Sequence, residues 1–508
     1  MVDLLIDGFG QVLQWQNLIV LALGIILGMV LGAVPGLTSA MAIALIIPFT
    51  YALDPVTSIV MLLGAYKGGI YGGSIPAILI GTPGTPAAAA TVADGYELAR
   101  QGKGGKALRM ALFASVTADL ISDIVLIVVA IHLARFALMF GPAEFTVLMV
   151  FALTTVAISS GRSLTKGVIS ACLGMMVALI GVDPMTGRQR LTFGSLTLAG
   201  GLELVPLLIG LMAVSEVLVQ VESRMRAAHV AHLPPPAQPS DGRLSLWEYL
   251  RHLKTILRST FIGTIVGVIP GLGPTLGAYI AYNVAHQFAT PAEQRLFGKG
   301  SLDGVAAAES GNNAVSGANM IPLLGFGVPG DLLAAVIIGA FLLQGIAPGP
   351  RIFTESPDVV YGIYAGLIVA NLLLLAIALP TLRVFVRLAQ VRTSLLFPLV
   401  VMFCIVGSYA FNQNIVDVYV MLVFGVLGYV MRKFGFPLST LIIGFIVTPL
   451  LERSFRQSLI FSRGGWDIFF GSSITWVLWG LTALSLGLAV ASRIRMARRI
   501  GTQVKGQT

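Results

Sequence analysis

Charged side chains are scarce in this sequence. Only 11% of its 508 residues are Asp, Glu, Lys or Arg, whereas roughly a quarter of the residues are charged in a soluble domain. Hydrophobic residues make up 56% of the chain, and the mean hydropathy is +0.89. This composition excludes an ordinary soluble domain and predicts an all-α polytopic integral membrane protein. Since one span needs about 20 mostly apolar residues, we expect about 11 to 13 transmembrane or half-membrane helices.

Cysteine and the common catalytic motifs are also nearly or wholly missing. Cys172 and Cys404 are the two cysteines, each in an apolar segment, so we expect buried small hydrophobes rather than a disulfide or a metal pair. The sequence has no HExxH, no GxSxG and no GK[ST], which excludes a zinc protease, a serine-elbow hydrolase and a P-loop ATPase. We therefore expect no enzyme activity, no cofactor and no structural metal, with energy taken from an ion gradient or an external ATPase.

Basic residues are absent from the N-terminus. The first fifteen residues contain Asp3 and Asp7 but no Lys or Arg, so they lack the basic region of a cleaved signal peptide, and we expect the first apolar segment to remain. The net charge of +9 could suggest a nucleic acid partner, but the basic residues occur in short loops and at the C-terminus. They are interpreted as orientation signals in a lipid bilayer, with no nucleic acid bound.

One glycine and proline motif occurs twice. The segments 75–90 and 321–333 both fit I-P-x4-G-x-P-G. The shared positions are Pro76, Gly81, Pro83 and Gly84 in the first copy and Pro322, Gly327, Pro329 and Gly330 in the second. Two prolines seven residues apart should prevent one uninterrupted helix. In a bilayer, open backbone is tolerated only where protein buries it or a watery cavity receives it, so both segments are candidate solute sites.

A glycine stripe precedes each copy of this motif. Gly24, Gly28, Gly32 and Gly36 are spaced by four, with the helix breaker Pro35 just before Gly36, and Gly263, Gly267, Pro270 and Gly271 repeat the pattern at an offset of 235. The proline motifs repeat at an offset of 246, and a polar insertion at 290–301 absorbs the difference. The chain is therefore predicted to be duplicated. The N-terminal membrane half is residues 1–222, and its motif core, 24–100, is called repeat 1. Residues 223–250 form a linker with three prolines. The C-terminal membrane half is residues 251–508, and its motif core, 259–348, is called repeat 2.

The distribution of basic loops predicts opposite orientations for the two repeats. Repeat 1 lies between the acidic N-terminus and a basic loop beginning at Arg100, whereas basic residues precede repeat 2. If basic loops are cytoplasmic, the repeats are inverted, the linker and C-terminus are cytoplasmic and the N-terminus is periplasmic. Two basic loops, around Arg190 and around Arg456, would then lie on the periplasmic side, against this rule.

Inverted repeats with broken helices are typical of secondary transporters with a site near the membrane midplane. Half-helices starting after Gly84 and Gly330 would present free amides to a carboxylate, and hydroxyls could add donors unless they merely cap helices or bond to carbonyls. The candidate substrate-binding residues are Gly36, Thr38, Ser39, Lys67, Ser74, Thr82, Gly84, Thr85, Gly271, Gly273, Thr275, Asn312, Asn313, Gly330 and Asp331.

Several long segments carry a family resemblance. GAVPGLTSAMAIALIIPFTYALDP, the segment from Tyr71 to Leu108, GVDPMTGRQRLTFG, GLELVPLLIGLMAVSEVL and ESGNNAVSGANMIPLLGFGVPG resemble the large membrane permease of the tripartite tricarboxylate transporters. The resemblance implies a bacterial inner-membrane protein that imports organic carboxylates by cation coupling. It further implies two partners, a small four-helix membrane subunit and a periplasmic solute-binding protein.

Ionisable residues inside apolar segments suggest function. Lys67 stands where the family more commonly has a neutral residue, and it is expected to bind a substrate carboxylate or to pair with an acid. Asp119 and Asp123 share one helical face, where contact with a partner subunit or a local bond is favoured.

Three residues of repeat 2 are candidates for cation coupling: Glu309, Asn313 and Asp331. Hydrogen bonding between the repeats is the alternative role for Glu309 and Asn313, and helix capping is the alternative for Asp331. The motifs and the family resemblance together predict import of an organic di- or tricarboxylate by Na⁺ or H⁺ symport. A passive anion-selective channel is the alternative, because glycine-rich broken helices also build pores.

Overall fold

The computed structural model describes residues 2–34, 36–159, 163–227, 242–388 and 393–505. The described residues are almost entirely helical, and the strands among them are β1 (Gly181–Val182) and β2 (Gln189–Arg190), an antiparallel pair. The first eleven helices are α1 Val2–Val12, α2 Trp15–Ala33, α3 Ser39–Thr50, α4 Pro55–Ile80, α5 Val92–Arg100, α6 Gly104–Ala137, α7 Pro142–Ser159, α8 Leu164–Ala178, α9 Leu196–Ala199, α10 Leu204–Ile209 and α11 Ser215–Ala227. The predicted all-α class is confirmed.

The helices after the linker are α12 Leu246–Arg251, α13 Leu253–Val268, α14 Gly273–Phe288, α15 Pro291–Gln294, α16 Leu302–Ala318, α17 Met320–Phe326, α18 Leu332–Leu343, α19 Ile352–Glu355, α20 Pro357–Leu388, α21 Thr393–Asn412, α22 Ile415–Lys433, α23 Leu438–Phe461 and α24 Ser473–Lys505. Short 3₁₀ helices span Pro86–Ala89 and Asp467–Phe470, and a π-helical segment spans Gly210–Val214.

Eight helices of the described chain are long and apolar enough to cross a membrane, and four apolar helices of 10–17 residues accompany them. The chain is therefore a multi-pass membrane protein. The long and short apolar helices together fall within the predicted 11 to 13.

The chain divides into two compact units. The first comprises residues 1–137 and 203–430 and contains both repeats, and the second comprises 138–202 and 431–508. This division is based on which residues pack together. The predicted halves 1–222 and 251–508 are based on sequence duplication, and they stay a prediction. The three linker prolines and Pro35 lie outside the described residues.

The two repeats have one tight helix contact in common, although α4 of repeat 1 is a single helix and its place in repeat 2 is taken by α16 and α17. In repeat 1, a Cβ on Gly28 would overlap the carbonyl oxygen of Ala65, and one on Gly32 would overlap that of Gly69. In repeat 2, a Cβ on Gly263 would lie 2.5 Å from the carbonyl oxygen of Gly311, the counterpart of Ala65. Because each glycine lets one backbone rest on another, α2 packs on α4 as α13 packs on α16.

Each helix breaks between the two prolines of its motif, as the proline spacing predicts. Pro76 lies in the last turns of α4, and Pro322 lies inside α17, so each first proline is accommodated within a helix. The break is at Gly81 and Gly327, which adopt left-handed conformations with φ of +69° and +71°. Glycine reaches this conformation without a steric penalty, which ends both helices at the same motif position.

The cysteine prediction is half correct. Cys404 is buried as expected, but Cys172 is exposed. It lies in α8, where Ala171 and Gly174 are the buried positions, so the side chain of Cys172 points to the outer face of an apolar helix.

An ion-pair network in the second unit accounts for basic residues that orientation alone does not explain. Arg190 Nη1 lies 2.7 Å from Glu452, and Arg456 contacts both Glu452 and Asp183 at 2.7 Å. Hydrogen bonds from Thr186, Arg456 and the Met185 amide hold the pKa of Asp183 well below its usual range. The arginines are thus paired locally, which weakens their effect as orientation signals.

The glycine contacts predict sensitivity to a single methyl group. Gly28→Ala should lower the thermal stability of the detergent-solubilised protein, by about 1–3 kcal/mol, because the added Cβ overlaps backbone of α4. Gly487→Ala is the matched control, since a Cβ there meets nothing within 4 Å. Equal melting temperatures for the two variants would contradict the contact.

The Asp183 carboxylate predicts a pH-dependent contribution to stability. Its folded-state pKa lies below the unfolded value of about 3.9, so its stabilisation is present above that pH and is lost as the pH falls through the folded-state pKa. Asp183→Asn should therefore melt below wild type at pH 7, and the difference should shrink in acid. A constant difference from pH 7 to pH 3 would show that the charge is not responsible.

Candidate substrate and coupling site

The broken ends of repeat 1 converge beside α4. After Gly81 the chain turns back so that the Gly84 amide donates a hydrogen bond to the Gly73 carbonyl at 3.0 Å. A Cβ on Gly84 would overlap the carbonyl oxygen of Gly32 at the end of α2. The start of α3 lies beside the same helix, because a Cβ on Gly69 would lie 2.7 Å from Ser39 Oγ. The loop, the end of α2 and the start of α3 thus meet on one glycine face of α4.

Three buried hydroxyls lie in this region, those of Ser39, Ser74 and Thr85; Ser39 and Thr85 have no hydrogen-bond partner among the described residues, whereas Ser74 lies beside the Glu309 carboxylate. None of them caps a helix or bonds to a backbone carbonyl. Thr38 behaves differently, since its side chain caps α3 by accepting from the Met41 amide at 3.3 Å. Because unpaired buried hydroxyls are rare, those of Ser39 and Thr85 are available as donors to a ligand, together with the first amides of α3.

The remaining predicted residues of repeat 1 border the group. Thr82 is half-buried in the loop, and Gly36 has a φ of +91° just before α3. The helix predicted to follow Gly84 is present only as the short 3₁₀ helix Pro86–Ala89, whose first residue, Pro86, has no amide to donate to an anion. The anion-facing helix end in repeat 1 is therefore that of α3.

Repeat 2 places a carboxylate where repeat 1 has a threonine. Asp331 caps α18, since its Oδ1 accepts from the Ala334 amide at 2.8 Å, whereas its Oδ2 has no partner among the described residues. Asn319 and Tyr66 lie beside Asp331, and Asn319 Nδ2 donates to the Tyr66 hydroxyl at 3.1 Å. The Asn319 Oδ1 is buried and also lacks a partner. This end of repeat 2 therefore presents acceptor oxygens.

The other predicted residues of repeat 2 surround this end. Gly271 donates its amide to the Gly330 carbonyl at 2.5 Å. Gly273 begins α14 with a φ of +65° and lies next to Asp331, and Thr275 is half-buried in the first turn of α14.

The polar run of α16 connects the two repeats. Glu309 accepts a hydrogen bond from Thr91 at 2.5 Å and from Ser115 at 3.2 Å. Asn313 donates to Ser115 at 2.8 Å, and Asn312 lies 3.5 Å from the Ala87 carbonyl. All are buried, so Glu309, Asn312 and Asn313 form the structural hydrogen bonds that were the alternative to ligand binding.

Lys67 is paired with acids of its own chain. Its Nζ lies 2.7 Å from Asp119 and 2.9 Å from Asp123. Of the two alternatives raised by the sequence, the structure contains the ion pair, and the acids are engaged locally. A direct role of Lys67 in substrate binding stays a prediction.

Sequence reasoning missed several members of this site. Thr91 and Ser115 bond to the candidate residues Glu309 and Asn313. Tyr66 and Asn319 bond to each other beside Asp331, and Asn371 bonds to Asp123. Asn371 had a usable signal, because it is the single amide in the apolar run from Ile368 to Leu379 and such residues usually find partners in a membrane.

The dual role of Asp331 predicts a separable effect on stability. Asp331→Ala should lower the melting temperature, since loss of an N-cap costs about 0.5–2 kcal/mol. Asp331→Asn retains a capping oxygen and should melt above the alanine variant. If both variants melt alike, the carboxylate does not act as a cap.

Comparisons with known proteins give one consistent family. The tripartite tricarboxylate transporter TctA family matches residues 18–443. A relative from Agrobacterium vitis, described as an uncharacterized 52.8 kDa protein in the TAR-I ttuC' 3' region, is 34% identical over 496 residues, covering 97% of this chain and 96% of the relative. An uncharacterized protein in the TAR-II ttuC' 3' region of the same organism is 41% identical over 208 residues, covering 41% of this chain and 85% of that relative. No solved structure matches the chain.

Proposed function

Because the chain belongs to the tripartite tricarboxylate transporter TctA family, we propose that it is the large membrane subunit of a transporter that imports an organic di- or tricarboxylate by cation symport. The family is one of transporters, which agrees with the absence of enzyme motifs from the sequence. The observation that carries the proposal is the different chemistry at the two motif ends: unpaired hydroxyls of Ser39 and Thr85 beside the repeat 1 motif, and unpaired acceptor oxygens of Asp331 and Asn319 beside the repeat 2 motif.

The substrate carboxylate is assigned to repeat 1. Ser39 and Thr85 supply hydroxyl donors, and the first turn of α3 supplies free amides at the positive end of a helix dipole. Donors without acceptors in a buried region favour an anion, since each would otherwise remain unsatisfied at a cost of about 1–3 kcal/mol.

The coupling cation is assigned to repeat 2. The oxygens Asp331 Oδ2 and Asn319 Oδ1 have no donor among the described residues, and carboxylate and amide oxygens suit Na⁺, whereas the Asp331 carboxylate would suit H⁺. An anionic substrate and a cation bound in neighbouring repeats would partly neutralise each other, so each favours binding of the other.

The packing between the repeats supports an inverted arrangement. The turn Pro86–Ala89 after the repeat 1 motif packs on α14 of repeat 2, and α18 after the repeat 2 motif packs on α3 of repeat 1. Such reciprocal contacts are expected from two copies related by a pseudo-two-fold axis. Alternating access would then move these segments relative to one another, with the N-terminus periplasmic and the linker and C-terminus cytoplasmic in the inner membrane.

The partners follow from the proposed complex. A periplasmic solute-binding protein would deliver the carboxylate, and a small four-helix membrane subunit would pack on apolar helix faces of the large subunit. The span Ser473–Ala491 offers one such face, since only 17% of its most apolar window is buried within the described chain.

The test is uptake of labelled carboxylates into proteoliposomes that contain this chain, its small subunit and its binding protein. Inward Na⁺ or H⁺ gradients should drive accumulation above equilibrium, and uptake should require the binding protein. Ser39→Ala should raise KM by about fivefold to twentyfold if one hydrogen bond to the charged carboxylate is lost. Ser170→Ala is the matched control, since Ser170 is also buried and unpaired but lies in the second unit.

Uptake that merely equilibrates under every ion gradient would overturn symport and indicate a passive channel. Equal KM values for Ser39→Ala and Ser170→Ala would overturn the placement of the substrate in repeat 1.

A further inference from the structure

A cluster of three charged side chains lies buried between α4 and α6. The spacing of Asp119 and Asp123 places both carboxylates on one face of α6, where both contact the single ammonium of Lys67 at 2.7 and 2.9 Å. The side-chain exposures are 0% for Lys67, 1% for Asp119 and 0% for Asp123. Water therefore contributes nothing to the charge balance of this cluster.

With every group ionised, the cluster would carry one uncompensated negative charge. Among the described side chains, the titratable groups that face Asp123 are Lys67 and Asp119, and the Tyr66 hydroxyl of α4 lies near Asp119. The helix α20 contributes the amide of Asn371, and α16 contributes Ser316 and Gly317.

Among the described side chains, the other helices packed on α6 bring no additional cation to the cluster. The helix α17 has no charged residue. The acid Asp94 of α5 and Arg258 of α13 lie near Ser301 and Asp303, at the first residues of α16, and Glu309 bonds to Thr91 and Ser115. A lone buried charge costs several kcal/mol, so the cluster requires one bound proton to become neutral.

The hydrogen bonds identify which carboxyl group holds that proton. Asp119 receives a donor on each oxygen, from Lys67 on Oδ2 and from the Ser316 hydroxyl on Oδ1. Asp123 Oδ2 accepts from Lys67 and from Asn371 Nδ2 at 2.7 Å, but its Oδ1 has no partner and faces the backbone of Gly317. An oxygen without a donor is the less favourable place for negative charge, so the proton belongs on Asp123.

We propose that Lys67, Asp119 and Asp123 form a proton-binding site, with the proton on Asp123 and the Lys67–Asp119 ion pair beside it, and that this proton is co-transported in addition to the cation assigned to repeat 2. The coupling rests on the transport function proposed above. When the proton leaves Asp123 Oδ1 for water, the cluster changes from neutral to a charge of −1, and when it returns, neutrality is restored.

The position of the cluster explains how proton exchange would be linked to transport. It joins α4 of repeat 1, Ser316 of repeat 2 and the adjoining helices α6 and α20. A rearrangement that separates α4 from α6 would leave an ammonium and a carboxylate unpaired in a buried region. Such a step is feasible only if the protonation of the cluster changes with it, which is the physical requirement for coupling.

The experiment compares wild type with Asp123→Asn in the reconstituted complex. An asparagine mimics the neutral acid and leaves the Lys67–Asp119 pair balanced, so folding and substrate exchange at equal pH should persist. With the membrane potential clamped and one proton per solute, an inward gradient of one pH unit should give about tenfold accumulation in wild type. The Asp123→Asn protein should only equilibrate. Asp417→Asn, which removes an acid elsewhere in the same unit, is the matched control and should accumulate like wild type.

A second measurement does not depend on the variant folding. Infrared spectra of the wild-type protein near neutral pH should contain a protonated carboxyl band, and a folded Asp123→Asn protein should lose it. Proton-driven accumulation that survives Asp123→Asn, or an infrared spectrum without a protonated carboxyl, would overturn this site. If wild-type accumulation responds to Na⁺ but not to H⁺, the proton site is overturned and symport stands. If uptake responds to no cation, the proposed function itself is overturned.

Discussion

The close approach of helix backbones in the two repeats is the constraint on which the rest of the structure depends. Lipid tails are as apolar as leucine, so helices in a membrane associate through tight packing rather than through the hydrophobic effect. Gly28 and Gly32 remove the side chains that would separate α2 from α4, and Gly263 does the same for α13 and α16. This fixes the register of each pair and brings the broken ends of repeat 1 to the Gly69 and Gly73 face of α4.

The repeats are joined by polar contacts that neither could complete alone. Asp94 of repeat 1 accepts hydrogen bonds from the Gly300 and Ser301 amides at 3.0 and 2.8 Å. These two backbone donors, which precede α16 of repeat 2, are thereby paired. Thr91 bonds to Glu309 in the same way. Buried donors and acceptors that lost these partners would each cost about 1–3 kcal/mol. Any movement between the repeats must therefore exchange such contacts rather than simply break them.

The sequence predicted the parts of this structure that depend on local chemistry. The glycine spacing and the motif ending at Gly81 and Gly327 follow from backbone sterics, so the helix ends could be read from sequence, whereas the duplication stays a prediction. The tolerance of Pro76 could not be read from sequence, because a proline is free of cost only in the first turn of a helix, whereas Pro76 lies near the C-terminal end of α4. The partners of Lys67 were not predicted either, since they depend on how α6 is rotated against α4. The prediction that Cys172 is buried was wrong for the same reason, because an apolar segment does not reveal which face of the helix is buried.

The two repeats share a scaffold but present opposite polarity, and this difference arises from few substitutions. At the position after the motif, repeat 1 has Thr85 and repeat 2 has Asp331. A threonine can donate to an anion, whereas a carboxylate with one free oxygen can only attract a cation or a proton. Lys67 and Asn313 are likewise counterparts at the offset of 246, and they put an ion pair in one repeat and a neutral hydrogen bond in the other. A duplicated pair of symmetric sites would bind two like ions, so under the proposed function this divergence is what would allow one scaffold to hold an anion and its coupling cation together.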